Sequence, residues 1–128
     1  MKHLLSLFLL MGMLSLFSTK PSFAQNRDRV VRIAKITVDP AQLTAYQAAL
    51  KEGIETAVSK EPGVLAYYAV ADKNEPSHIT ILEVYANPEA YQKHIETPHF
   101  KKYKATVQSM VKSLELTDVN VIDFVSKK

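Results

Sequence analysis

Three times in this chain a residue able to cap a helix is followed at once by proline: Asp39-Pro40, Asn87-Pro88 and Thr97-Pro98. The side-chain oxygen of Asp, Asn or Thr accepts from a free N–H of the first turn, and proline suits the first helical position because it has no N–H to lose. Three helix starts are thereby placed, and the rest of the chain must be read around them. After Asp39-Pro40, the residues Leu43, Tyr46, Leu50, Ile54, Ala57 and Val58 recur at three-to-four spacing. That spacing predicts a helix, which Pro62-Gly63 stops near Glu61. Asn87-Pro88 opens a short helix running through His94. Thr97-Pro98 opens a third, with Phe100, Tyr103, Val107, Met110, Val111 and Leu114 as its apolar stripe.

The segments between these helices alternate. Val30 to Val38 is rich in Val and Ile and reads as a strand. Val64 to Asp72 and His78 to Tyr85 read as two more, joined by the turn Asn74-Glu75-Pro76-Ser77. Glu115 to Phe124, where Val119 and Val121 alternate with polar neighbours, reads as the last. The order strand, helix, strand, strand, two helices, strand is that of a ferredoxin-like α+β sandwich with an antiparallel sheet. Its helices would cover one sheet face and leave the other, carrying Val, Ile and Tyr, bare; such a face needs a partner. One domain over 30–125 is expected, after a flexible lead-in at 25–29 and before a tail at 126–128.

Residues 1–24 read as an export signal, with Lys2 at the start, an apolar run from Leu4 to Phe17, and the small-x-small site Ser22-Phe23-Ala24 before Gln25. The run is too short to span a bilayer comfortably, so no stable membrane anchor is expected after cleavage. The mature chain, about 104 residues, is expected outside the cytoplasm, in a periplasm or secreted. The absence of Cys excludes a lipoprotein linkage, disulfides and thiolate metal sites. Cleavage also removes Lys2 and Lys20 and no acid, so the formal charge of +3 falls to about +1. With no clustered Arg and Lys, no nucleic-acid surface is expected.

Residues able to do chemistry gather in His94-Ile95-Glu96-Thr97-Pro98-His99-Phe100, with Tyr103 one turn further on. His94, near the end of one helix, is a candidate base; the competing reading is an imidazole resting on the negative helix end. His99, in the first turn of the next helix, either relays a proton or caps the helix and faces solvent. Glu83 shares a strand face with Ile79, Ile81 and Tyr85. It either lies under the helices, where a carboxylate must be paired or protonated, or lies on the other face, paired with Lys35 or at a dimer seam. Tyr67, Tyr68, Tyr85, Tyr91 and Tyr103 are core or interface residues, of which one or two are placed to bind an aromatic ligand. His78, beside a turn, reads as surface. His94 and His99 stand five apart across a proline, with no carboxylate or third His at a ligand spacing, so no metal site is expected. Gly12, Gly53 and Gly63 are the only glycines, too few for a phosphate-cradling loop, and no nucleotide cofactor is expected.

The His94-to-His99 run, the Glu83 and Tyr85 pair on the preceding strand, and the order of elements from Val30 to Phe124 resemble the antibiotic biosynthesis monooxygenase superfamily, in particular its quinol monooxygenase-like members. One departure is Tyr85, which stands where many relatives carry Trp; this chain has no Trp. The resemblance implies two sheets paired into a dimeric α+β barrel, hence a homodimer. It implies cofactor-independent oxidation of a quinol or similar small electron-rich aromatic by dioxygen. It also implies His94 as base, His99 as relay or donor, and Glu83, Tyr85, Phe100 and Tyr103 around the substrate. The alternative is an exported dimeric binding module that holds a small hydrophobic ligand or haem without turnover. Haem-degrading relatives place a Trp, an Asn and a His around the porphyrin, and the missing Trp counts against haem.

Overall fold

The computed structural model describes residues 28–128, so the expected signal at 1–24 and most of the lead-in lie outside the described residues. The elements follow as β1 (Val30–Val38), α1 (Leu43–Lys60), β2 (Val64–Ala71), β3 (His78–Tyr85), α2 (Pro88–Ile95), α3 (Pro98–Val107) and β4 (Val111–Val119). Each expected cap is made. Asp39 accepts from the Ala41 N–H and starts a 3-10 turn, Pro40–Gln42, that feeds α1. Asn87 accepts from Ala90 N–H at 2.8 Å and Thr97 from Phe100 N–H at 3.3 Å.

The strands form one antiparallel sheet in the order β2-β3-β1-β4, and the helices pack on one face of it. Beneath them lie Ala34, Ile36 and Val38 of β1 and Ile79 and Ile81 of β3, packed against Tyr46 and Leu50 of α1 and Val107 of α3. A side chain of this kind contributes about 1.5–3 kcal/mol when fully buried. A second cluster, Ala57, Val64 and Tyr85, closes the end of the sheet near α2. Val58, expected on the buried stripe of α1, points to solvent. Among the described residues no helix is long and apolar enough to cross a membrane.

Two joints set the position of α2. Pro62 disfavours helix at the residue before it, and Glu61 accordingly takes extended angles, φ −107° and ψ 108°, at the C-cap of α1. Gly63 then passes so near α2 that a Cβ built on it would stand 2.5 Å from the Cβ of Ala90. Its carbonyl accepts from Ala86 N–H at 2.9 Å, which holds the start of β2 against the end of β3.

The end of the chain corrects the sequence reading. α3 stops at Val107 and does not run on through Leu114; Val111 and Leu114 belong to β4, which ends at Val119 and not at Phe124. The edge of β1 decides this, pairing Val38 with Val111, Ile36 with Leu114 and Ala34 with Leu116, while Asp39 N–H donates to Met110 O at 2.8 Å. A register shift between Thr37 and Val38 resets the alternation, so the spacing of 107, 110, 111 and 114 fits a helical stripe and a bulged strand equally. No Gly or Pro marks the break. Val121 lies beyond the strand and is exposed. Among the described residues, two apolar surfaces of the sheet stay open. On the outer sheet face Tyr68 is 71 % exposed, and on the inner face of β4, over which no helix packs broadly, Leu114 and Leu116 are 45 % and 50 % exposed.

Candidate active site

The cavity between sheet and helices has a volume of about 620 Å³. Most of its wall is apolar, including Ile36, Leu50, Ile54, Ile81 and Val107. All six residues singled out in the sequence, Glu83, Tyr85, His94, His99, Phe100 and Tyr103, reach this one cavity. Glu83 is opposite Arg32 on one side and Tyr67 on the other, which settles its face: it lies under the helices. Lys35 is opposite Thr80 and Glu115, so the alternative pairing of Glu83 with Lys35 does not occur.

The polar wall is one continuous hydrogen-bonded chain. Tyr85 Oη donates to Glu83 Oε2 at 2.9 Å, Tyr67 and Tyr85 hydroxyls are 2.7 Å apart, and Tyr67 Oη is 2.9 Å from His94 Nε2. On the other side of the ring, His94 Nδ1 is 2.8 Å from Glu61 Oε2, which is also 2.7 Å from His99 Nε2. Proton counting orients the chain, because each phenol has one hydrogen to give. With Tyr85 donating to an ionised Glu83, Tyr67 must donate to Tyr85, and His94 Nε2 must carry a proton and donate to Tyr67. One other arrangement is self-consistent, with every bond reversed, the proton on Glu83 and Nε2 bare. The two differ only in which end holds the proton.

Burial shapes the electrostatics of this wall. Desolvation raises the Glu83 carboxyl above its ordinary value, against the opposing pull of the Tyr85 hydrogen bond and the charges of His94, Arg32 and Lys104. Burial also pushes the hydroxyls of Tyr85 and Tyr67 well above the usual phenol value. Both remain neutral, each able to give and accept one bond at once. Around them, Tyr91 stacks edge-on against Tyr85 at 5.2 Å and carries the Arg32 guanidinium over its ring at 4.2 Å. Arg32 Nε also contacts Asp118 of β4 at 2.6 Å. Phe100 meets His94 edge-on at 4.9 Å, and the hydroxyl of Tyr103, which also lines the cavity, is 2.8 Å from that of the buried Tyr46. No buried side-chain polar atom among the described residues lacks a partner.

Glu61 and Arg32 were not legible as participants in the sequence, and Tyr67 stood there only as one of five tyrosines grouped together. Glu61 had shown only as the end of a helix, yet the turn after it delivers the carboxylate that sequence spacing did not supply to His94 and His99. Donor atoms of all three lie within 4.8 Å of one another. Tyr67 had a signal, since it stands on β2 opposite Glu83 once the hairpin register is drawn. His78 is on the surface, as expected, paired with Glu75.

A ferredoxin-like sheet with an apolar cavity under its helices, walled on one side by a hydrogen-bonded polar chain, is the architecture of a small α+β domain that binds an apolar ligand. The chain belongs to the antibiotic biosynthesis monooxygenase family, whose profile matches residues 29–106. It is similar to a structure from Bacteroides thetaiotaomicron described as a candidate antibiotic biosynthesis monooxygenase, at 48 % identity over 80 % of this chain and 98 % of that one, TM-score 0.77. A candidate monooxygenase from Lactobacillus acidophilus is 33 % identical over 71 % of this chain and 43 % of its own, TM-score 0.70. A Caulobacter crescentus protein, 20 % identical over 79 % of this chain and 96 % of its own, shares the fold at TM-score 0.71. The comparison with curated proteins gave no match.

Proposed function

We propose that this protein oxidises a small electron-rich phenol of the quinol class with dioxygen, using the electrons of the substrate ring itself. The observation that carries the proposal is the chain from Glu61 through His94, Tyr67 and Tyr85 to Glu83, which ends in a carboxylate facing an apolar cavity of about 620 Å³, roomy enough for a substituted aromatic ring. Both ring nitrogens of His94 are engaged by Tyr67 and Glu61, so His94 acts through the chain, and Glu83 is the group that meets the substrate hydroxyl. Glu83 takes the phenolic proton, and the negative charge it gives up to the substrate stays beside Arg32. The anion passes an electron to dioxygen, the radical pair combines at a ring carbon, and the peroxide collapses. One oxygen atom replaces the ring hydrogen and the other leaves as water, all electrons coming from the ring. Protons for the departing oxygen return from Glu83, which His94 can resupply by shifting one proton along each bond of the chain. Tyr103 and Phe100 line the space for the ring, and His99 supports Glu61 at the far end of the chain.

Oxygen consumption by the purified protein with a panel of substituted hydroquinones tests this reading. Wild-type uptake is expected, with Glu83→Gln lowering it by about a hundredfold to ten-thousandfold while the fold persists. Uptake by the Gln variant at the wild-type rate would place the base elsewhere. Tight binding of the quinols with no uptake by wild type would leave a binding module as the remaining function.

We further propose that a second copy covers the outer sheet face, where Tyr68 and Val70 are exposed. Sedimentation at micromolar concentration is expected to give a dimer, and a stable monomer would remove the proposal. Export with cleavage before Gln25 is proposed on the sequence of residues 1–24, and the N-terminal sequence of the exported protein checks it.

A further inference from the structure

The junction of α1, α2 and α3 holds a second kind of site. Glu61 comes from the C-cap of α1, His94 from the end of α2 and His99 from the first turn of α3; both rings turn one nitrogen to Glu61 Oε2, and the three donor atoms lie within 4.8 Å of one another. Their side chains are 12, 6 and 18 % exposed. We propose that Glu61 Oε2, His94 Nδ1 and His99 Nε2 bind a divalent first-row transition ion, with Zn²⁺ as the reference occupant.

Several features of the arrangement go beyond a chance meeting of three side chains. Two imidazoles and a carboxylate are a donor set suited to borderline ions of the Zn²⁺ and Co²⁺ kind and a poor one for Ca²⁺ or Mg²⁺, which take mostly oxygen. A ligating imidazole needs its other nitrogen fixed by a hydrogen bond. His94 already has this, with Nε2 on Tyr67 2.9 Å away, while Nδ1 points into the cluster. The donors come from three rigid elements locked by caps and by the Gly63 contact with Ala90, so the cluster is organised before any ion arrives. Three protein ligands leave positions open for water or a small ligand, and His94 and His99 both line the cavity.

Without an ion, protons hold the three groups together, at 2.8 Å and 2.7 Å from the shared oxygen. Metal bonds of about 2.0–2.2 Å in a tetrahedral set hold donors about 3.3–3.6 Å apart, so these two gaps must open by roughly 0.5–0.9 Å, a shift within reach of side-chain rotation. The ion therefore replaces the protons between Glu61 and the two rings. It leaves Tyr67 as the partner of His94, so the ring keeps its orientation. This inference stands apart from the quinol reading, because binding is measured without turnover.

The test uses the untagged full-length protein, stripped with a chelator and equilibrated against Zn²⁺, with bound metal read by elemental analysis and Co²⁺ read by its visible absorption. One Zn²⁺ per chain is expected, together with a rise in Tm at saturating Zn²⁺. Glu61→Gln and His99→Ala should each weaken binding at least about tenfold, Tyr67→Phe by about tenfold to a hundredfold, and His78→Ala not at all. A wild-type protein that neither retains Zn²⁺ through dialysis nor gains Tm overturns the proposal without recourse to any variant. Stoichiometric binding that survives both Glu61→Gln and His99→Ala overturns it as well, since the ion would then sit elsewhere.

Discussion

Two histidine–glutamate pairs of the same length lie in opposite surroundings in this molecule. His78 Nδ1 and His94 Nδ1 are each 2.8 Å from a glutamate oxygen, of Glu75 and Glu61 respectively. The first pair spans one turn beside β3, with side chains 52 and 66 % exposed, and water competes for each of its bonds. The second ties two helices together, with side chains 6 and 12 % exposed, and its imidazole is held on the other side by Tyr67. An exposed pair of this kind contributes about 0–1 kcal/mol, whereas removing one member of a buried, hydrogen-bonded set costs about 3–5 kcal/mol because the survivors lose their partners. Bond length does not distinguish a surface contact from a working part; the number of other partners and the access of water do.

The largest effect should come from breaking the buried pair. His94→Ala is expected to lower stability by about 3–5 kcal/mol in urea titration and to reduce quinol-dependent oxygen uptake, while His78→Ala stays within about 1 kcal/mol and keeps full uptake. Equal losses in the two variants would erase the contrast between the pairs. A middle-sized effect is expected at Tyr67→Phe, which preserves shape but removes the link between His94 and Tyr85. Its cost in stability should be about 1 kcal/mol, and its loss of uptake should add little to that of Glu83→Gln in the double variant. Fully additive losses would mean that the two residues act separately.

The smallest effect concerns the other end of the chain. Burial raises the folded-state value of the Glu83 carboxyl, so its stabilising contribution is complete below the ordinary carboxylate range and is lost as pH rises through the raised value. Glu83→Gln cannot ionise and keeps an oxygen to accept from Tyr85. The variant should therefore be slightly more stable than wild type near neutrality, with the advantage vanishing on acidification. Urea titrations at about pH 4 and about pH 8 check the sign.

How much of this could be read beforehand depended on how local the cause was. Helix starts at Pro88 and Pro98 were legible because a cap and a proline act within three residues. The end of α3 was not, because the sheet edge of β1 imposes it from far away in sequence and 107–114 carries no breaker. His94, His99 and Glu83 stood out because the His94-to-His99 run resembles a family and Glu83 is polar in an apolar strand, and the structure brings all three to one cavity. Glu61 was hidden by its neighbours, since Pro62 and Gly63 announce a stop and say nothing of where the last side chain goes. Arg32 became visible only with strand register, which places it on one side of Glu83 and singles out Tyr67, from five tyrosines, on the other.

The strand β4, over which no helix of the described residues packs broadly, bears on how the cavity would exchange a ligand. Leu114 and Leu116 form part of the cavity wall and, among the described residues, are left open to solvent, so this side of the chamber offers a doorway. On the quinol proposal, a flat apolar molecule would enter along β4, past the exposed Leu114 and Leu116. Arrival and departure should then follow diffusion and the stickiness of that threshold, not a slow conformational clock. Arg32, fastened to Asp118 on β4 and lying across from Glu83, stands as the doorpost where the passage meets the chemistry.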